Sequence, residues 1–505
     1  MNKKHIFNDD NMIGKFIAII LAVSTILGGL FIHGRTPALV VILLVLIYVL
    51  ISIRYRRKRQ MNRLPFQFRL NALQFESPVW LQKDDKDKLL NILKAAFILL
   101  SFDRMNSGLW GKTYLYRLKK AGVSIPKSQG SLGGTPIGLW AITANYHSKD
   151  SFVSDWLFPP LINTLSSTRS HDGKFIKRST YGDLGSEFEY EPERHAAGGL
   201  LISLFYNKAN SDDMKTLEYL LSTTPLDVFG KALMARTLFH IYYMKKISKK
   251  YRVKAKKKSL ELIKQLIEIA NNTELAMHIW LKPHKYGRKV NNMWASLWAL
   301  LPLITIEDVN YNIQQSLVEV LIRIMRSHIG VCVSETSLFP SYIAEDGIGH
   351  GEYVFGTAVS LMVWRTIEVY NNFEQIVKIE DIQNHIRDIV GRLLSNQYKL
   401  ITIPSTHEEN KAVELEGYFA WAAVCIAMSS LGIKIFPDFV VKSKNIVELF
   451  EDYNAIEIDE KTRIEKYSKL LSTNFGLPES TINAIATSSN NIVKYQQVIN
   501  ANSKE

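Results

Sequence analysis

The chain has only two cysteines, Cys332 and Cys425, in 505 residues. They lie far apart and form no CxxC pair. Neither a disulfide scaffold nor a cysteine-rich zinc module can organise this fold, and a reducing compartment fits. HExxH is absent, which removes one metal-hydrolase pattern. The glycines of Gly130–Pro136 are not followed by the Lys-Ser/Thr ending of a phosphate-binding loop, and they read as a turn before a helix. Alternating strand patterns are scarce. Apolar residues at 47% and charged residues at 22% exclude wholesale disorder.

What is present begins with two uncharged runs, Phe16–Ile32 and Pro37–Ile53, separated only by His33–Thr36. Each reaches the short end of the length that crosses a hydrocarbon core, so the pair predicts a tight transmembrane hairpin within residues 1–60. A cleaved signal peptide explains one such run but not a second directly behind it. The basic cluster Arg54, Arg56, Arg57, Lys58 and Arg59 follows the second run, and Lys3, Lys4 and Lys15 precede the first. Both ends of the hairpin, with the main domain, are therefore expected on the cytoplasmic face of the cell (inner) membrane. The same cluster can rest on anionic headgroups.

From about Met61 onward helical periodicity dominates. Turns rich in Gly or charge repeatedly lead into helices that are apolar nearly all round. They start at Gly130, Glu193, Asp227, Tyr286, Gly347 and Val413, with an earlier candidate at Phe102. More amphipathic segments, such as Lys258–Ala270 and Tyr311–His328, lie between them. A helix that reads apolar on every side is buried on every side. Pairs of one such helix and one amphipathic helix close readily into a ring. The expected fold is all-α: the hairpin, an α/α toroid of six to seven helix pairs over 61–440, and a polar helical tail over 441–505. In the tail, Glu460–Leu471 and Ser480–Ile499 read as helices.

Gly351–Trp364 (GEYVFGTAVSLMVW) and Asn106–Leu115 (NSGLWGKTYL) resemble helix-opening segments of the toroid shared by terpenoid cyclases and protein prenyltransferases. The resemblance covers about Leu70 to Ile435 and concerns the fold. The activity it implies lacks its motifs here. There is no DxDD tetrad, and the nearest acidic clusters are Ser211–Met214 and Lys83–Lys88. The zinc set of prenyltransferases, which joins Asp, Cys and His at helix starts, is not evident around Cys332 or Cys425. Cys425 falls mid-helix and reads as a small buried residue. Lanthionine cyclases and (α/α)6 sugar-processing enzymes share the helix-pair ring, but the Cys-His zinc cluster of the former is not evident either.

Candidate site residues sit at the turns that open the apolar helices. Glu345, Asp346 and His350 are the catalytic candidates, since a carboxyl in an apolar cavity has a raised pKa and can stay protonated to act as a general acid, with His as a base near neutrality. Glu193, Arg194, His195, Glu352, Glu414 and Glu416 are candidates for lining the cavity. The competing reading of each acid is a helix cap that complements the dipole. The spacing identifies no metal set and no cofactor. Trp140, Trp294, Trp298, Trp364 and Trp421 read as core packing or as the wall of an apolar pocket. Lys245–Lys258 falls in a run with nine positive charges, and reads as a solvated loop or a surface for anionic lipid headgroups. The hairpin makes a lipid bilayer a more economical partner than nucleic acid.

Three functions follow as expectations. The first is an enzyme acting on a prenyl-like or other amphiphilic molecule in the ring's cavity. The second is a non-catalytic sensor or membrane effector relaying ligand or partner binding to the hairpin. The third is a sugar-active (α/α)6 enzyme, which needs two carboxylates facing each other across the cavity.

Overall fold

The computed structural model describes residues from Phe75 to Asn502 with interruptions, of which 117–131, 176–191, 293–310 and 440–457 are the longest. The transmembrane-hairpin expectation falls on residues 1–60 and lies outside the described residues. Contacts divide the chain between Pro65 and Phe66. Among the described residues no helix is long and apolar enough to cross a membrane.

The described residues form thirteen helices and seven strands of two to four residues. The body is helical, as expected. α1 (Lys83–Phe102) is followed by β1 (Leu115–Tyr116), α2 (Thr135–Ala144), α3 (Ser151–Thr168) and α4 (Pro192–Phe205). Next come α5 (Ser211–Ser222), α6 (Val228–Tyr243) and α7 (Lys249–Asn271). β2 (Lys282–Pro283), β3 (Lys289–Asn292), α8 (Tyr311–Ile329), β4 (Tyr342–Ile343), β5 (Gly349–His350) and α9 (Tyr353–Tyr370) follow. The chain continues with α10 (Ile379–Ser395), β6 (Pro404–His407), β7 (Ala412–Leu415) and α11 (Tyr418–Ser430), then α12 (Glu460–Phe475) and α13 (Glu479–Asn502).

Five apolar helices touch in succession: α9 with α11, α11 with α2, α2 with α4, and α4 with α6. Each is sealed. From Thr135 to Ile142, Arg194 to Leu204, Gly230 to Ile241, Val354 to Ile367 and Ala420 to Ser430 every residue is buried. The contact of α11 with α2 joins the last of these helices to the first, across nearly the whole domain. The others cover them from outside: α7 lies on α6, α10 on α9, α1 on α11, and α3 and α5 on α4. These helices are amphipathic. In α10, Ile382, Ile386, Ile389, Val390 and Leu393 face inward on the helical period while the polar residues between them face out.

Glycine lets the apolar helices meet the turns beside them. A Cβ on Gly198 of α4 would lie 2.0 Å from the Leu132 carbonyl, and one on Gly356 of α9 2.4 Å from that of Pro340. A threonine hydroxyl fixes each neighbouring turn as well. Thr135 accepts from the Trp110 N–H at 3.1 Å, and Thr357 from the Phe339 N–H at 2.8 Å.

Two features were not expected. The short strands form two sheets, β1-β7-β6 and β2-β3-β4-β5, all of their neighbours antiparallel. The basic run, read as a loop, instead opens α7, which starts at Lys249 rather than Lys258. In the tail, α13 packs against both α12 and α1. Phe439 bridges Phe97 of α1 and Phe475 of α12, with ring centroids 6.3 and 4.8 Å apart.

Candidate functional site

The apolar helices alternate with covering helices along the chain, so they run parallel and begin at one end. Side-chain bonds agree. Thr237 of α6 donates to the Ala197 carbonyl of α4 at 3.1 Å, six residues into the older helix and ten into the younger. Arg365 in the last part of α9 donates to the carbonyl of Ser430, the last residue of α11, at 3.1 Å. The strands precede these helices, with β5 leading into α9 and β7 into α11. His350 is the second residue of β5, opposite Tyr342. Glu414 lies in β7, paired with Ser405 on one side and Leu115 on the other. Glu345, Asp346, Glu352 and Glu416 lie outside the described residues.

Glu193 stands in the first turn of α4, where a carboxylate complements the helix dipole. It is half-buried and accepts a hydrogen bond from the Tyr219 hydroxyl of α5 at 3.1 Å. Burial first, and then the Glu193 charge, raise the Tyr219 phenol above its ordinary pKa, so it stays a donor. The Lys174 ammonium lies over the Tyr219 ring, 5.2 Å from its centroid, and pairs with Asp172 at 3.0 Å. The Ser170 hydroxyl and then Lys174 hold the Asp172 carboxyl down to about 2. Behind these groups Arg169 reaches buried Asp213 at 2.7 Å and lies over the Phe175 ring. The result is a polar shelf linking α3, α4 and α5.

Arg194 and His195 follow Glu193 but are shut inside, 4% and 1% exposed. Gly133 makes room for Arg194: a Cβ there would lie 3.2 Å from its Nε. Deeper in, the Arg236 guanidinium of α6 sits over the Trp140 ring of α2 at 4.7 Å. Burial lowers this guanidinium to about 9, which still leaves it charged at neutral pH. His240, one turn on, is buried beside it in sequence, and the Lys231 ammonium donates to the Pro225 carbonyl at 2.6 Å. Among the described residues Asp213 is the sole buried acid, whereas Arg194, Lys231 and Arg236 are buried cations on α4 and α6.

Of the sequence candidates, then, Glu193 is accessible, Arg194 and His195 lie inside, and His350 and Glu414 are on strands that precede apolar helices. Tyr219 and Arg236 were not singled out. For Tyr219 the sequence carries no signal, since its partner is on another helix. For Arg236 a signal existed: Arg236 and His240 are one turn apart in an otherwise apolar helix. Trp140, Trp364 and Trp421 are core residues, and Trp364 stacks on His385 with centroids 4.5 Å apart. Trp294 and Trp298 lie outside the described residues. Cys425 is fully buried and burial raises its thiol pKa, which suits a packing residue. Among the described residues no three or more His, Cys, Asp or Glu side chains stand together as a metal site. Neither a protein-family model nor a curated protein matches the sequence.

Proposed function

We propose that this chain is a membrane-held, cytoplasm-facing α/α toroid enzyme that cleaves glycosidic bonds at the end where its inner helices begin. The succession α9, α11, α2, α4, α6 supports the ring, with α10, α1, α3, α5 and α7 outside it. The apolar helix expected after Tyr286 falls outside the described residues, and α8 touches both α7 and α9.

The observation that carries the functional reading is the burial of the inner helices on all sides. Side chains this buried line no wide tunnel, so the described stretches of these helices offer an isoprenoid chain little room along their length. Chemistry belongs at the mouth, among the polar opening segments. A saccharide suits such a site better than a prenyl chain, because its hydroxyls match carboxylates and His rather than an apolar wall. In the proposed reaction one carboxylic acid of the Glu345–Asp346 pair gives its proton to the leaving glycosidic oxygen. A second carboxylate, Glu414 or Glu416, takes a proton from the attacking water. His350 and Glu352 position the sugar, and Glu193 holds a hydroxyl from the α4 side. Arg194 and His195 support that corner from inside.

The test is mass spectrometry of the full chain in lipid nanodiscs with pools of neutral and uronic oligosaccharides. The expected result is shortened products, with rates falling about 10²–10⁴-fold in Glu345→Gln and in His350→Ala. Turnover of a long-chain isoprenyl diphosphate instead would return the chemistry to the amphiphile expectation. No turnover of any pool, with the same variants losing a bound protein partner, would make the chain a sensor.

A further inference from the structure

The covering helix α7 opens on a run of lysines. Six other helices (α1, α4, α5, α10, α12 and α13) carry an acid in the first turn, matching the helix dipole, whereas α3 and α8 do not. α7 has none there and opens on Lys249 and Lys250. Its buried stripe, Ala255, Ser259, Leu262, Ile263 and Leu266, packs inward, and Ser259 donates to the Ala235 carbonyl of α6 at 2.7 Å. Opposite that stripe Lys249, Lys250, Lys254 and Lys257 are exposed, with Lys246 just before the helix. Neither an ion pair nor a hydrogen bond engages these five ammonium groups among the described residues, and the first acid of the helix is Glu261. Lysines spaced three and four apart on one face repel one another, and they also oppose the dipole. The free protein thus carries an unfavourable charge arrangement that an anionic surface would relieve. Val253, 55% exposed, stands in the middle of the patch as an apolar contact.

The patch also has a definite place in the fold. α7 begins where α6 ends, at the end of the bundle remote from the mouth. The described chain starts at that same end. Arg365 donates to the Glu76 carbonyl at 3.0 Å, and the Ser77 hydroxyl donates to the Leu431 carbonyl at 2.8 Å. The 74 residues before Phe75 include both uncharged runs and the cluster Arg54–Arg59.

We propose that the first half of α7 docks on anionic phospholipid, turning the end where α6 finishes and α7 begins to the bilayer and the mouth to the aqueous side. Charge complementarity, the exposed valine and the end at which the chain arrives all favour a lipid surface. Nucleic acid, the other polyanion, becomes an outcome of the test. The proposal does not depend on the chemistry at the mouth, and its test does not read that chemistry.

The experiment is lysine acetylation footprinting of the full chain in nanodiscs of phosphatidylcholine alone and of an equal mixture with phosphatidylglycerol. A lysine near an anionic leaflet gains about 1 kcal/mol, so modification of Lys249, Lys250, Lys254 and Lys257 should slow by about fivefold. The effect should vanish in molar salt. Lys264 and Lys469, exposed elsewhere, should not change. Joint Lys250→Glu, Lys254→Glu and Lys257→Glu substitution should abolish docking, read as the loss of the lipid-dependent protection remaining at Lys249. Equal modification in the two nanodiscs would overturn the proposal. So would protection by single-stranded RNA, but not by phosphatidylglycerol, in the same footprint.

Discussion

The inner helix α4 and the outer helix α10 obey opposite rules. In α4 every residue from Arg194 to Leu204 is buried, and even a methyl group on Gly198 would strike the Leu132 backbone. In α10 only one stripe is buried, and a Cβ on Gly391 would meet nothing within 4 Å. The two helices differ in what surrounds them more than in propensity. A helix enclosed by neighbours must be apolar and slim on all sides, whereas a helix on the outside needs one apolar stripe. The comparison also separates the buried charges by cause. Inside, Arg236 is tied to the Trp140 ring and Lys231 to the Pro225 carbonyl. Outside, α7 holds lysines that no ion pair or hydrogen bond engages among the described residues.

The sharpest way to break this contrast is to add bulk to the inner helices. Gly198→Val and Gly356→Val should each abolish the cooperative thermal transition of the detergent-purified chain, since the obstacle is backbone and cannot move aside. Next in size is the buried pair on the polar shelf. Asp213→Ala strands Arg169 beside Phe175 and should cost about 3–5 kcal/mol in denaturant unfolding. Replacing both partners together, Asp213→Leu with Arg169→Met, should recover most of that loss.

A third effect depends on pH. His328 is fully buried on α8, with Nδ1 2.9 Å from the Pro340 carbonyl, and burial lowers its pKa to about 4. Between about 4 and the unfolded value near 6.5 the unfolded chain binds more protons than the native one. Stability is therefore complete above the upper value and falls as the pH drops towards the lower, by roughly 3 kcal/mol in all. Urea unfolding midpoints across that range should show the loss, and His328→Gln should flatten it. The smallest effect is the outer counterpart of the first. Gly391→Ala should raise stability by about 0.5–1 kcal/mol, because Ala is the better helix former and nothing obstructs it.

Much of the helical layer was legible because burial on all sides leaves a plain mark: uninterrupted apolar sequence after a Gly-bearing turn, as in Tyr353–Trp364. α8 and both tail helices were legible by period, to within a few residues. The strands were not, since two to four residues are too few to show alternation. The start of α7 was hidden because its inward side is carried by small residues, Ala255 and Ser259, amid lysines. At the site, residue types were legible and neighbours were not. The bond from Tyr219 to Glu193 and the stacking of Arg236 on Trp140 join different helices, and nothing local in the sequence records such a meeting. The interior positions of Arg194 and His195 follow from the Leu132–Gly133 turn crossing α4 at Gly198, which is likewise a tertiary fact.

The proposed ring of six inner helices, with chemistry at its mouth, requires the apolar sequence 293–303 to fold as an inner helix between α6 and α9. Amide hydrogen exchange of the full chain in nanodiscs tests that directly. The account predicts that 293–303 exchanges as slowly as α2, α4, α6, α9 and α11, in one cooperative unit, while the opening segments around His350 and Glu414 exchange far sooner. Rapid exchange of 293–303 while its five neighbours stay protected would contradict the ring.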